Sequence, residues 1–206
     1  MTANIPASTS LRPTSPTREE AAYHESGHAV AAYLTGYHYV DDDIVIDGGK
    51  TAVTTIQPDL HLLQVRVQEL GWAVPDELEL RRQQCFIAAA GYGAEMVLAE
   101  KRGRPFDTYS VGVAALGDRQ HVGAIWGLAN GAFYKFADEM AVQFRDPKVW
   151  TIVETVAQEL LSRGRMYADE FIGLLENLMP QLGVPFRLFS TVTPELQTPT
   201  LLPASS

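Results

Sequence analysis

The sequence is poor in cysteine, in basic charge and in long apolar runs. Its one cysteine, Cys85, rules out an intrachain disulfide and a metal site made of cysteines alone. Lys and Arg number 16 against 25 Asp and Glu, for a net charge of −9. A surface of that sign does not suit a phosphate backbone, so no nucleic-acid partner is expected. No apolar stretch approaches the ~20 residues that a membrane helix needs. The N-terminal MTANIPASTSLRPTSPT lacks the apolar core of a secretory signal. A GxxxxGKS/T phosphate loop is missing too, which excludes a P-loop nucleotide site in this chain. These absences predict a soluble, cytoplasmic protein.

What is present fits one globular domain. The chain has 206 residues, 46% hydrophobic and 20% charged, enough for a sizeable core. Residues 1–14 and 186–206 are rich in Ser, Thr and Pro and read as disordered tails around a domain over 15–185. A first helix begins near Thr17, where Thr17 and Glu20 have capping-box spacing, and stops at Gly36. Two β-like runs, Ile44 to Ile46 and Ala52 to Ile56, flank a turn at Asp47-Gly48-Gly49. The stretch 58–77 reads equally as helix or strand. A helix is expected over Glu79 to Lys101, then a loop to about Leu116, then one long helix from Asp118 to Met140. Asp146-Pro147 opens a fourth helix ending near Gly164, and a fifth covers Tyr167 to Leu178. The fold class is therefore α+β, mainly helical, with a small sheet or hairpin.

One segment carries chemistry: His24-Glu25-Ser26-Gly27-His28, an HExxH pattern. Residues four apart share a helical face, so both imidazoles can reach one metal ion. Zinc takes nitrogen ligands at ~2.0–2.1 Å in a tetrahedron, leaving places for a third protein ligand and a water. Glu25 is turned roughly 100° from His24 and can flank the metal as a base. With five His and 14 Glu in the chain, chance yields such a pattern in roughly one sequence in a hundred of this composition. An extended HExxHxxGxxH motif is excluded, because Ala31 and Leu34 stand where its Gly and third His belong. Glu95, Glu100, Asp107, Asp118 and His121 remain as candidates for the third ligand.

AAYHESGHAVAAYLTG resembles the zinc helix of the FtsH-type membrane AAA proteases, whose pattern reads AYHEAGHA. AAAGYGAEMVLAE is similar to that family's next helix, AGRAAEEL, and Asp118 in AALGDRQHV falls where the family has a zinc aspartate, in GASNDLQRAT. The resemblance spans roughly Ser15 to Leu178. It implies a zincin-like metallopeptidase domain, with His24, His28 and Asp118 as zinc ligands and Glu25 as catalytic base. The family's ATPase module and membrane anchors are missing, and His121-Val122-Gly123 replaces its Arg-Ala-Thr.

Other residues have plainer readings. Glu95 is either a solvated helix charge, a partner of a zinc histidine, or the ligand itself. His121 lies one turn after Asp118 and is either an oxyanion stabiliser or a surface histidine. His38 and His61 lie outside any metal spacing and read as structural or exposed. Cys85, Trp126 and Trp150 read as core. Gly91 and Gly93 would each weaken a helix by ~1 kcal/mol against alanine, which points to close approach of the zinc helix. The function expected is zinc-dependent, ATP-independent hydrolysis of flexible or unfolded polypeptide. The alternatives are a non-catalytic zinc-binding interaction module and a regulatory peptidase with one protein substrate. The sequence leaves the oligomeric state open.

Overall fold

The computed structural model describes residues 16–47, 51–127 and 131–185. The expected tails and the Gly48-Gly49 turn lie outside these residues. The protein is α+β and mainly helical: eight helices and one three-stranded antiparallel sheet among the described residues.

Helix α1 (Arg18–Thr35) is the central element. Its capping box forms as the sequence predicts: the Glu20 amide donates to Thr17 Oγ1 at 3.1 Å and the Thr17 amide to Glu20 Oε2 at 2.8 Å. Gly36 ends the helix at φ 86°, a left-handed C-cap. Small residues on several faces of α1 (Ala21, Ala22, Gly27, Ala29, Ala31, Ala32) are buried, so neighbours approach it from several sides. Helix α3 (Glu77–Lys101) is the main partner. A Cβ added at Gly27 would lie 2.6 Å from the Ala90 carbonyl oxygen and 2.8 Å from Ala94 Cβ. The two backbones can cross this closely only because position 27 has no side chain.

The strands are β1 (His38–Asp47), β2 (Thr51–Pro58) and β3 (Arg165–Tyr167), in the order β2-β1-β3. Both strands of the hairpin run longer than the apolar runs suggest. Their register shifts between the pairs Val40↔Ile56 and Ile44↔Thr54, a bulge that holds the acidic Asp41 and Asp42. The third strand is too short for periodicity to show; it is held by the pair Ile44↔Met166, both buried.

The ambiguous stretch resolves as helix α2 (Leu60–Leu70), capped by Asp59, with Leu63 its one buried residue. Helix α3 starts two residues before its expected position because Asp76 caps it. The expected loop before Leu116 contains helix α4 (Thr108–Ala114). The long helix expected over Asp118 to Met140 is two: α5 (Leu116–Trp126) and α6 (Ala132–Phe144). Gly127 and Gly131 bracket the break at φ 88° and 92°, values that a continuous helix cannot hold. Helices α7 (Pro147–Arg163) and α8 (Ala168–Leu182) complete the chain, α8 running past Leu178 through Pro180. Cys85, Trp126 and Trp150 are core residues as expected, with Trp150 stacked on Tyr23. Among the described residues, no helix is long and apolar enough to cross a membrane.

Candidate metal centre

Three elements converge where α1 crosses α3. Helix α1 supplies His24 and His28 one turn apart, their rings nearly perpendicular with centroids 4.7 Å apart. The first turn of α5 supplies Asp118. The facing atoms form a small triangle: His28 Nε2 to His24 Nε2 is 3.0 Å, His24 Nε2 to Asp118 Oδ2 is 3.2 Å, and His28 Nε2 to Asp118 Oδ2 is 3.6 Å. Ligand atoms around a tetrahedral ion with bonds of ~2.0–2.1 Å are roughly 3.3 Å apart, so the triangle has the size of one tetrahedral face.

The outer nitrogens decide what the triangle needs. His28 Nδ1 lies 2.7 Å from the Ile87 carbonyl oxygen, and His24 Nδ1 lies 2.6 Å from Glu95 Oε1. A carbonyl and a carboxylate only accept, so both Nδ1 atoms carry the proton and donate. Both Nε2 atoms then present lone pairs to each other and to the Asp118 carboxylate. Three acceptors this close are repulsive unless a cation sits among them. The electrostatics agree. Burial disfavours protonated imidazole, but Asp118, joined by Glu95 at His24, outweighs it: His24 is held well above the usual histidine range and His28 above it. Burial would raise Asp118, yet the two histidines hold its carboxyl below the usual carboxylate range. The cluster draws positive charge, as a proton or as a metal ion.

Gly91 makes the space. A Cβ there would sit 2.6 Å from Nε2 of both histidines, in the middle of the cluster. The close approach expected at Gly91 is thus to the metal helix. Gly93 instead faces α6, where a Cβ would meet the Ala137 carbonyl oxygen and Met140 Cβ at 3.0 Å.

The remaining candidates separate cleanly. Glu95, buried on α3, holds His24 through its outer nitrogen and stays outside the triangle. Burial raises its pKa, and His24 opposes that. Glu100 is exposed and paired with Arg145, and Asp107 is exposed and outside the triangle, lining a hollow with Glu95, Phe106 and Arg104. Asp118 is not the helix cap that its position suggests; Ala115 occupies that place. Glu25 is buried, and Thr54 on β2 donates to its Oε2 at 2.7 Å. His121 is exposed and lines a cleft of roughly 420 Å³ together with His28 and Asp118. His38, expected to be structural or exposed, is buried and lines the same cleft. His61 is exposed.

Sequence reasoning missed Thr54, His38 and the Ile87 carbonyl. Thr54 sits in a β-like run without a motif around it, and a backbone carbonyl carries no residue-type signal. Comparison with family models gives no match to this chain, and comparison with curated proteins gives no significant similarity.

Proposed function

We propose that this chain is a zinc-dependent metallopeptidase domain of zincin type that hydrolyses flexible or unfolded polypeptide without ATP. The observation that carries the reading is the His24, His28 and Asp118 triangle with a buried carboxylate, Glu25, from the helix of the two histidines. Two imidazoles and one carboxylate suit zinc, and three protein ligands leave the open position that a catalytic site needs. Bound there, zinc would make water acidic enough to be deprotonated near neutral pH and would polarise a carbonyl.

The chain's own residues supply the rest. Glu95 and the Ile87 carbonyl fix the tautomers and ring planes of the two histidines, so no ligand has to reorient. Thr54 claims Oε2 of Glu25 and leaves Oε1 to take a proton from the attacking water and return it to the leaving amine. His121, at the cleft, is placed to donate to the oxygen that gains charge on a scissile carbonyl. Strand β2 is an edge of the sheet and carries Thr54, so an extended peptide can add to it beside the metal.

The test pairs metal content with turnover. Purified protein is expected to hold about one zinc per chain and to cleave an unfolded casein or peptide substrate. Glu25→Gln is expected to keep the zinc and lose turnover by roughly 10²–10⁴-fold, because an amide cannot accept the proton. Wild-type rates in that variant would remove Glu25 from the role of base. Zinc binding with no turnover on any unfolded polypeptide would favour a non-catalytic binding module.

A further inference from the structure

The cleft beside the metal triangle contains a polar atom that the hydrolytic reading does not use. His38 opens β1, and its ring is buried where the strand leaves α1. Thr35, at the end of α1, donates its hydroxyl proton to the Ala32 carbonyl oxygen at 2.7 Å. The same hydroxyl oxygen accepts from the His38 amide at 3.2 Å and lies 2.7 Å from His38 Nδ1. Thr35 has no second proton to give, so Nδ1 is the donor of that last bond. The lone pair of the ring is therefore on Nε2, which has no hydrogen-bond partner among the described residues and is not sealed from solvent. Burial lowers the His38 pKa to about 4, so the ring is neutral and this acceptor persists at neutral pH.

The other walls of the cleft set what can reach it. Ile56, Ile87 and Ile125 give an aliphatic passage, Gln57 and Gln84 add neutral amides, and no Lys or Arg lines it. A side chain entering here needs an apolar stem, a neutral tip and an N–H to donate. We propose that His38 is a specificity-determining residue of this site, and that its free Nε2 selects a peptide side chain ending in a carboxamide, glutamine before glutamate or methionine. This rests on the metallopeptidase reading. Glutamate has no donor for Nε2 and would set its own lone pairs and charge against that acceptor. Methionine has the length but would cover the lone pair without pairing it, and sites built around a hydrogen bond reject analogues that lack it. The carbonyl of a glutamine tip can accept from Gln57 or Gln84.

The experiment uses the zinc-loaded full chain and three peptide hydroxamates that differ only in a Gln, Glu or Met side chain. Binding is measured by calorimetry, and the His38 ring nitrogens are followed by ¹⁵N NMR. The glutamine compound is expected to bind at least about tenfold more tightly than the other two, and to shift the unprotonated Nε2 signal of His38. His38→Asn keeps a donor near Thr35 and removes Nε2, and is expected to erase the preference while zinc content and melting temperature hold. His38→Gln places an amide oxygen near the Nε2 position and is expected to restore part of it. Equal binding of the three compounds to wild type, or an unchanged preference in His38→Asn, would overturn the role of His38 alone. Failure of all three to bind protein shown to contain zinc would overturn the peptidase reading, and this inference with it.

Discussion

His24 makes two different contacts from one ring, and the difference assigns the work of its carboxylate neighbours. Its Nδ1 faces Glu95, and its Nε2 faces His28 and Asp118. Asp118→Ala removes one corner of the triangle and is expected to lose zinc and activity together. Glu95→Gln keeps the shape but weakens the bond that orients His24, and is expected to lower zinc affinity about 10–100-fold. Zinc titration of both variants checks the order. A larger loss in Glu95→Gln than in Asp118→Ala would exchange the two roles. His38 sets a pH dependence of its own. In the fold its pKa is about 4, whereas an unfolded chain protonates histidine near 6.5. The unfolded state binds the extra proton between those values. The stability contributed by neutral His38 is therefore complete above about pH 6.5 and falls as pH drops towards 4, by roughly 3 kcal/mol at most. Melts of chelator-treated wild type and His38→Asn from pH 7 to 4 are expected to show the steeper decline in wild type; parallel declines would refute it.

At the scale of elements, the crossing of α1 and α3 does most to build the site. Gly27 lets the backbones close, and Gly91 leaves room inside the cluster they enclose. Gly91→Ala improves intrinsic helix propensity by up to ~1 kcal/mol, since Gly91 lies inside α3. Its methyl group would nonetheless sit 2.6 Å from both Nε2 atoms. The expected outcome is a folded protein that has lost zinc, read by circular dichroism and elemental analysis. Wild-type zinc content in this variant would show that the two helices can part at no cost to the site. The Thr17–Glu20 capping box, the Asp-Pro start of α7 and the HExxH periodicity of α1 were legible because they depend on neighbours within one turn. The break between α5 and α6 was not legible. Trp126 and Phe136 are buried on either side of it with rings 5.3 Å apart, and apolar residues on both sides kept a helical period across a stretch that glycines interrupt. Helix α2 was ambiguous for a related reason: with one buried residue it has no strong apolar face to read.

For the whole molecule, the His24, His28 and Asp118 triangle joins two helices, α1 and α5, so an ion held there would link metal binding to stability. A ligand that binds only the folded state stabilises it by about 4 kcal/mol at a thousand times its Kd. For a domain of this size, that shifts the melting temperature on the order of 10 °C. Chelation is expected to lower the melting temperature by that order and zinc to restore it; identical melts with and without chelator would argue against an ion at the site. Activity of the isolated chain is expected to be indifferent to ATP, because it lacks a phosphate-binding loop. The sequence by itself determined the pair His24 and His28, the place of Glu25 beside them, and the mainly helical class, since helical spacing puts i and i+4 on one face whatever surrounds them. Its residues left Glu95 and Asp118 among five candidates for one place, with a family resemblance favouring Asp118. Only the tertiary structure separated them, because their tasks depend on which nitrogen of His24 each one meets, and that follows from how α3 and α5 cross α1. The same holds for Thr54 on Glu25 and His38 in the cleft: both contacts form across a sheet and a helix end that no local pattern brings together.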